Sequence, residues 1–173
     1  MKKLNLKNYI RNIPDFPKPG ILFRDITTLL KNKKAFKQGV ETLAAKFKNK
    51  KIDVVVAVEA RGFILGGAIA HKLGAGFIPV RKKGKLPAAA DSVTYDLEYG
   101  TDTLEIHHDA INPQDKVLIV DDLLATGGTV KAVTDLVKQL QGKIAGIVFL
   151  IELKDLKGIE KLKDYPVFSL IKY

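Results

Sequence analysis

Apolar and polar positions along the chain follow two alternating periods, and the alternation predicts a layered α/β protein. Phe36, Val40, Leu43 and Phe47 recur every three to four residues, so Ala35 to Lys48 reads as an amphipathic helix with a lysine-rich outer face. The run Asp53-Val54-Val55-Val56-Ala57-Val58 follows, short and β-branched, the pattern of a central parallel strand covered on both faces. Phe63 to Leu73 then reads as helix, Gly76 to Val80 as strand, Lys116 to Asp121 as strand, Thr129 to Gln141 as helix and Ile144 to Ile151 as strand. From Ser92 to His107 the period becomes two. There Val93, Tyr95, Leu97 and Tyr99, then Leu104 and Ile106, alternate with polar residues around Gly100-Thr101-Asp102, which predicts a hairpin standing off the sheet as a flap. A single domain over residues 1–173 is expected, with a central, mainly parallel sheet flanked by helices.

The segment Val117-Leu118-Ile119-Val120-Asp121-Asp122-Leu123-Leu124-Ala125-Thr126-Gly127-Gly128-Thr129 carries the strongest chemical signal. A buried strand delivers two carboxylates to the carboxyl edge of the sheet, where open α/β sheets bind ligands. Gly127 and Gly128 then let backbone N–H groups converge on an anion at a helix N-terminus, with the Thr126 and Thr129 hydroxyls as further donors. Carboxylates beside a phosphate repel it unless they face neutral hydroxyls or a divalent cation, so a sugar phosphate, with or without Mg²⁺, fits the set. Gly-Lys-Ser/Thr does not follow and Gly-x-Gly-x-x-Gly is absent, so the segment is neither a P-loop nor a dinucleotide fingerprint. An acidic turn with a helix cap is the plainer reading. It leaves the ordered series of apolar strand, paired acids, Thr-Gly-Gly-Thr and helix unexplained.

Four other stretches carry weaker signals. Glu59-Ala60-Arg61-Gly62 is a second strand-to-helix turn, with glycine for close approach and arginine for a two-pronged grip on pyrophosphate; alone, it reads equally as a Glu59–Arg61 surface pair. Arg81-Lys82-Lys83-Gly84-Lys85 gathers cations that would neutralise departing pyrophosphate or lie in solvent. Glu98 stands on the polar phase of the hairpin beside Tyr95 and Tyr99, where a closing lid would carry it inward. Phe16 to Thr27 is a stiff, proline-rich stretch whose aromatics suit either stacking on a flat base or plain core.

Composition narrows the field. The chain has no cysteine, which removes disulfides, thiolate metal sites and a cysteine nucleophile, and it suits a cytoplasmic location. Met1 to Lys7 is too polar for a signal peptide, and no run approaches the ~20 apolar residues that cross a bilayer, so no membrane partner is expected. A net charge of +10 points to a phosphate-rich partner without saying which. Only four of the 29 basic residues are arginine, and Arg24, Arg61 and Arg81 each sit beside a candidate ligand loop. His71, His107 and His108 lack metal-ligand spacing and read as structural or exposed.

From Phe16 to Leu153 these motifs, in this order, resemble the adenine phosphoribosyltransferases of the type I phosphoribosyltransferase family. The resemblance implies a type I phosphoribosyltransferase fold in which residues ~1–34 contribute a small base-binding hood. It implies that Ala125, Thr126, Gly127, Gly128 and Thr129 hold the ribose 5-phosphate and that Asp121 and Asp122 address the ribose. Arg61, counted with Glu98 as catalytic, would contact pyrophosphate beside Glu59 and Ala60, and Arg81, Lys82 and Lys85 would reach phosphates, partly across a homodimer interface. Phe23 would stack on adenine, Leu22 and Arg24 would offer backbone groups, and Leu153 would cover the opposite face. Glu98, beside Tyr99, matches the catalytic glutamate of the flap. Ala125 stands where relatives acting on hypoxanthine or guanine carry an aspartate, so a carboxylate is missing there. The expected reaction is adenine plus phosphoribosyl pyrophosphate giving AMP plus pyrophosphate, with Mg²⁺ held by pyrophosphate and ribose hydroxyls and by Asp121 or Asp122 at most through water. The alternatives are another purine base, or a nucleic-acid-binding regulator on the same fold. The intact flap and Arg61 loop argue against the regulator, so nucleic acid is not an expected partner.

Overall fold

The computed structural model describes residues 3–96 and 100–173. Its centre is a seven-stranded sheet of β3 (Val54–Val58), β4 (Gly76–Lys82), β5 (Ala90–Asp96), β6 (Thr101–His107), β7 (Lys116–Leu124), β8 (Lys143–Glu152) and β9 (Val167–Lys172). The strands lie in the order β5-β6-β4-β3-β7-β8-β9. β4, β3, β7, β8 and β9 run parallel, and the β5–β6 hairpin is added antiparallel at one edge. The predicted helices correspond to α2 (Lys33–Ala45), α3 (Arg61–Leu73) and α4 (Gly128–Gln139), with boundaries moved by a few residues.

Both faces of the sheet are covered, which is why Val54–Val58 of β3 and Val117–Val120 of β7 are apolar at every position. Val55 and Ala57 of β3 and Leu118 and Val120 of β7 pack with α2 and α3, while Val56, Val58, Val117 and Ile119 pack with α4. All are at most 5% exposed. Each buried side chain of this size contributes roughly 2 kcal/mol relative to exposure. The strand positions are therefore set by burial, and the polar residues at their ends must go where the sheet carries them. α3 sits close on β3 because Gly66 has no side chain; a Cβ there would lie 2.5 Å from the Ala57 Cβ.

The topology then places two loops together. After β3 the chain crosses through α3 to β4 on one side, whereas after β7 it crosses through α4 to β8 on the other. The carboxyl ends of β3 and β7, adjacent and in register from Val54↔Val117 to Ala57↔Val120, thus flank the crevice where the strand order reverses.

Three features were not in the expected set. β1 (Arg11–Ile13) and β2 (Phe23–Asp25) pair as a separate two-stranded sheet before a short helix α1 (Thr27–Lys31). β7 runs on past Asp121 to Leu124, because its ladder with β8 continues to Leu124↔Glu152. β9 closes the far edge. No helix among the described residues is long and apolar enough to cross a membrane.

Candidate active site

At the end of β7, Gly127 adopts φ +79° and α4 begins at Gly128 with no side-chain cap. Among the described residues, no acceptor meets the amide N–H groups of Thr126, Gly127, Gly128, Thr129 or Val130. These five unpaired amides belong to residues that, with Asp121, Leu123, Leu124 and Ala125, line a small cup of about 70 Å³ at the helix N-terminus. Gly127 is required twice over. Its φ is costly for residues with a side chain, and a Cβ there would lie 2.5 Å from the carbonyl oxygen of Gly158. Tyr95 of β5 reaches this loop, its phenolic oxygen 3.3 Å from the Thr129 hydroxyl, so the predicted flap already touches the predicted phosphate loop. A larger concavity of about 780 Å³ lies between Leu4 and α2, lined largely by lysines, and contains none of the motif residues. The small cup is the better candidate because it sits at the switch point and is lined by residues whose amides have no acceptor.

The two aspartates behave differently. The Asp121 carboxylate is half-buried, lines the cup and accepts the Asp122 amide at 2.8 Å. Asp122 is buried, and its Oδ2 lies 3.0 Å from Arg61 Nε in a charge contact without hydrogen-bond alignment. Burial, and then the neighbouring Asp122 charge, push the Asp121 carboxyl well above the ordinary carboxylate range. Burial also raises Asp122, with Arg61 opposing it.

An acid that binds its proton more tightly when folded destabilises the fold above its unfolded pKa, and the cost accumulates as pH rises from there to the folded value. Asp121→Asn keeps the oxygen that accepts the Asp122 amide and removes the charge. It should therefore melt a few degrees above the parent at pH 7, with the difference shrinking toward pH 4, in thermal unfolding at both values.

Glu59 and Ala60 form the turn between β3 and α3, and Arg61 is the first residue of the helix. The local Glu59–Arg61 pair open on sequence grounds is not formed. Instead Glu59 binds Arg81 at 2.7 Å and the Lys82 amide at 3.2 Å, while Arg61 crosses to Asp122. Burial works against ionisation of Glu59, but Arg81 and the Lys82 amide outweigh it and leave the carboxyl below its ordinary value. Within the basic segment, Lys82 Nζ pairs with Asp102 at 3.1 Å and Arg81 donates to the Lys85 carbonyl, leaving the Lys83 and Lys85 side chains exposed.

The N-terminal stretch folds over the same edge. Arg61 lies 5.1 Å from the Phe23 ring centroid, and Phe16 meets Phe23 edge-on, also at 5.1 Å. Leu22 is exposed beside them, while the Arg24 guanidinium turns away onto Tyr173. Leu153 is tied to the end of β7 through its amide, which donates to the Leu124 carbonyl at 2.9 Å. His108 pairs with Asp91, away from this cleft. Glu98 and Tyr99 lie outside the described residues.

A family described as phosphoribosyl transferase domain matches residues 27–172. Adenine phosphoribosyltransferase from Acidobacterium capsulatum is 58% identical to the chain over 168 residues, covering 97% of the chain and 93% of that protein. The chain belongs to the adenine phosphoribosyltransferase family. Among solved members of the family, the Thermoanaerobacter pseudethanolicus enzyme superposes with a TM-score of 0.94 at 54% identity, over 97% of this chain and 98% of that one. The Saccharomyces cerevisiae enzyme, complexed with adenine and an imino-altritol bisphosphate, gives 0.90 at 43% identity over 95% and 96%. The fold of this chain is therefore the type I phosphoribosyltransferase fold of the family.

Tyr95 and Gly158 were not singled out by sequence as site residues. Tyr95 carried a trace of its role, in its place on the hairpin's alternation. Gly158 carried none, because it is read only through a contact with a loop some thirty residues earlier in the chain.

Proposed function

We propose that the chain transfers the 5-phosphoribosyl group from phosphoribosyl pyrophosphate to adenine, releasing AMP and pyrophosphate. The observation that carries this reading is the set of acceptor-free amides from Thr126 to Val130 at the switch-point cup that Asp121 lines. In the proposed complex these amides and the Thr126 and Thr129 hydroxyls hold the 5-phosphate, with Ala125 in the same loop, and Asp121 faces the ribose hydroxyls. Asp122 contributes mainly by orienting Arg61 toward pyrophosphate, next to Glu59 and Ala60. Arg81, Lys82 and Lys85 add positive charge near the leaving group.

Adenine lies under the hood, stacked on Phe23 and read by the backbone of Leu22 and Arg24, with Leu153 across the ring. Its nucleophilic nitrogen forms the new bond to the anomeric carbon as the bond to pyrophosphate breaks, the electron pair leaving on oxygen. Glu98, beside Tyr99 on the flap, takes up the proton lost by the base, and closure of the hairpin excludes water from the cationic ribosyl centre.

The residues present fit Mg²⁺ only as a passenger of the substrate. Among the described residues no group of three His, Asp or Glu side chains gathers to hold a metal, whereas the cup edge offers the Asp121 carboxylate to a hydrated ion. When bound with the sugar pyrophosphate, Mg²⁺ offsets charge on the leaving group.

We further propose a homodimer, supported by Ile64 of α3 and Phe77 of β4, which are 46% and 39% exposed. Residues 1–173 form one domain in this proposal, with ~1–34 as the hood. The reaction is assigned to the cytoplasm, where the charge of a sugar pyrophosphate retains it.

The test is to incubate the protein with Mg²⁺ and phosphoribosyl pyrophosphate plus adenine, hypoxanthine, guanine or xanthine in turn, and to measure released pyrophosphate. Adenine should exceed each of the others by at least about 100-fold, because a site built to hydrogen-bond one base edge leaves polar groups unpaired against another. Equal rates with hypoxanthine would refute adenine as the acceptor.

A further inference from the structure

Two walls of the proposed base pocket come from distant parts of the chain. One is the hood, with Phe23 and Arg24 on β2; the other is Leu153, just past the end of β8. Both are tied to a residue that no motif includes, Tyr173. Its amide donates to the Glu152 carbonyl at 3.0 Å, and its carbonyl accepts the Lys154 amide at 3.0 Å, so its backbone brackets Leu153 from both sides.

Its ring meets the hood. Arg24 lies with its guanidinium carbon 3.8 Å from the ring centroid, and Lys7 Nζ lies 4.7 Å from the same centroid. Asn12 Oδ1 accepts from Arg24, and Asn12 is the ladder partner of Arg24 between β1 and β2, so the clasp engages both hood strands. Burial pushes the Tyr173 phenol above its ordinary value, with Arg24 opposing it, and the ring stays neutral beneath two cations.

We infer that Tyr173 is a positioning residue for adenine, clasping the hood to the strand end that carries Leu153 and so fixing the width of the base slot; this rests on the base site proposed above. The backbone of Arg24 is then held by its own side chain, which explains why an arginine at this position points away from the cleft. The sugar-phosphate cup is lined by residues of the β7 end and the start of α4, and Tyr173 itself bonds to none of them.

The experiment is steady-state kinetics with each substrate varied in turn, on Tyr173→Ala, Tyr173→Phe, Arg24→Leu, the Tyr173→Ala/Arg24→Leu double variant and Phe23→Ala, with thermal unfolding of each. Tyr173→Ala should raise the KM for adenine about fivefold or more while the KM for phosphoribosyl pyrophosphate and kcat stay within about twofold, and Tyr173→Phe, which keeps the ring, should behave as the parent. Arg24→Leu should reproduce the effect from the hood side, and the double variant should add little to either single change. Should Tyr173→Ala fail to fold, Arg24→Leu carries the same test.

The inference is overturned if both KM values move together, if adenine KM is unchanged, or if Tyr173→Phe is as impaired as Tyr173→Ala. Phe23→Ala separates the two readings. If it raises adenine KM while the clasp variants do not, only the clasp is lost; if it too leaves adenine KM unchanged, the base site itself is misassigned and the clasp falls with it.

Discussion

Arg61→Ala should lose both stability and turnover, and adding Asp122→Asn to the same chain should restore the stability alone. The single change leaves the Asp122 carboxylate buried with its nearest cation removed. Leaving such a group unsatisfied costs about 1–3 kcal/mol; the Arg61 side chain is 38% exposed, which argues for the lower half of that range. Removing the charge at Asp122 removes the cause, so the double variant should melt within a few degrees of the parent.

Activity should not follow. In the proposed complex Arg61 is the two-pronged donor to pyrophosphate, and its loss should lower kcat/KM for phosphoribosyl pyrophosphate by roughly 100-fold in both variants. The stability loss has a pH signature as well. Burial raises the Asp122 pKa even with Arg61 present, and without Arg61 it rises further, so the deficit should be large at pH 7 and shrink as acid protonates the carboxyl. Thermal unfolding at pH 7 and pH 5, beside initial rates, separates the two roles. A double variant as unstable as Arg61→Ala would mean that the pairing is not what holds this corner.

This pairing also marks the limit of what can be read along the chain. β3 and β7 were legible because a strand covered on both faces must be apolar at every position, and Val54–Val58 and Val117–Val120 are. The cup was legible because an anion loop needs glycine at a left-handed position, and Gly127 occupies one.

The side-chain partners were not legible. Glu59 and Arg61 are two residues apart and look like a pair, yet the turn sends Glu59 toward β4 and Arg61 toward β7. Which acid meets which base depends on the β3–β4 and β3–β7 registers, and no local pattern encodes those. The same holds for Tyr173 under Arg24 and for Gly158 against the phosphate loop, contacts made across more than a hundred and about thirty residues. β9 was missed because a six-residue edge strand with mixed polarity offers a weak period, and its place is set by its ladder with β8. The order of the motifs still located the site, since the carboxyl ends of β3 and β7 must meet once the strand order reverses between them.

The phosphate cup should fail when its backbone is moved, even by a residue that never touches the ligand. Gly127→Ala puts a side chain at φ +79°, which costs roughly 1 kcal/mol or more, and drives a Cβ to 2.5 Å from the Gly158 carbonyl oxygen. Gly158→Ala approaches from the other side. Its φ is unexceptional, but its Cβ would lie 2.2 Å from the Ala125 carbonyl oxygen and 2.8 Å from the Gly127 nitrogen, backbone atoms that cannot swing aside as a side chain would. Both changes must shift the loop by a sizeable fraction of an ångström, and misplacement on that scale costs roughly 100-fold where catalysis depends on alignment. Each variant should therefore lose about 100-fold in kcat/KM for phosphoribosyl pyrophosphate, with adenine KM little changed. The helix should survive, because Val130, Val133, Leu136 and Val137 keep α4 seated on the sheet, so circular dichroism should match the parent and melting should fall by only a few degrees. Gly158→Ala is the more informative of the two, since it alters neither the φ of the cup nor any donor in it. Parent-like kinetics for that variant, with the fold intact, would mean that the Ala125–Gly127 backbone is free to rearrange and that the preformed cup is not what binds phosphate.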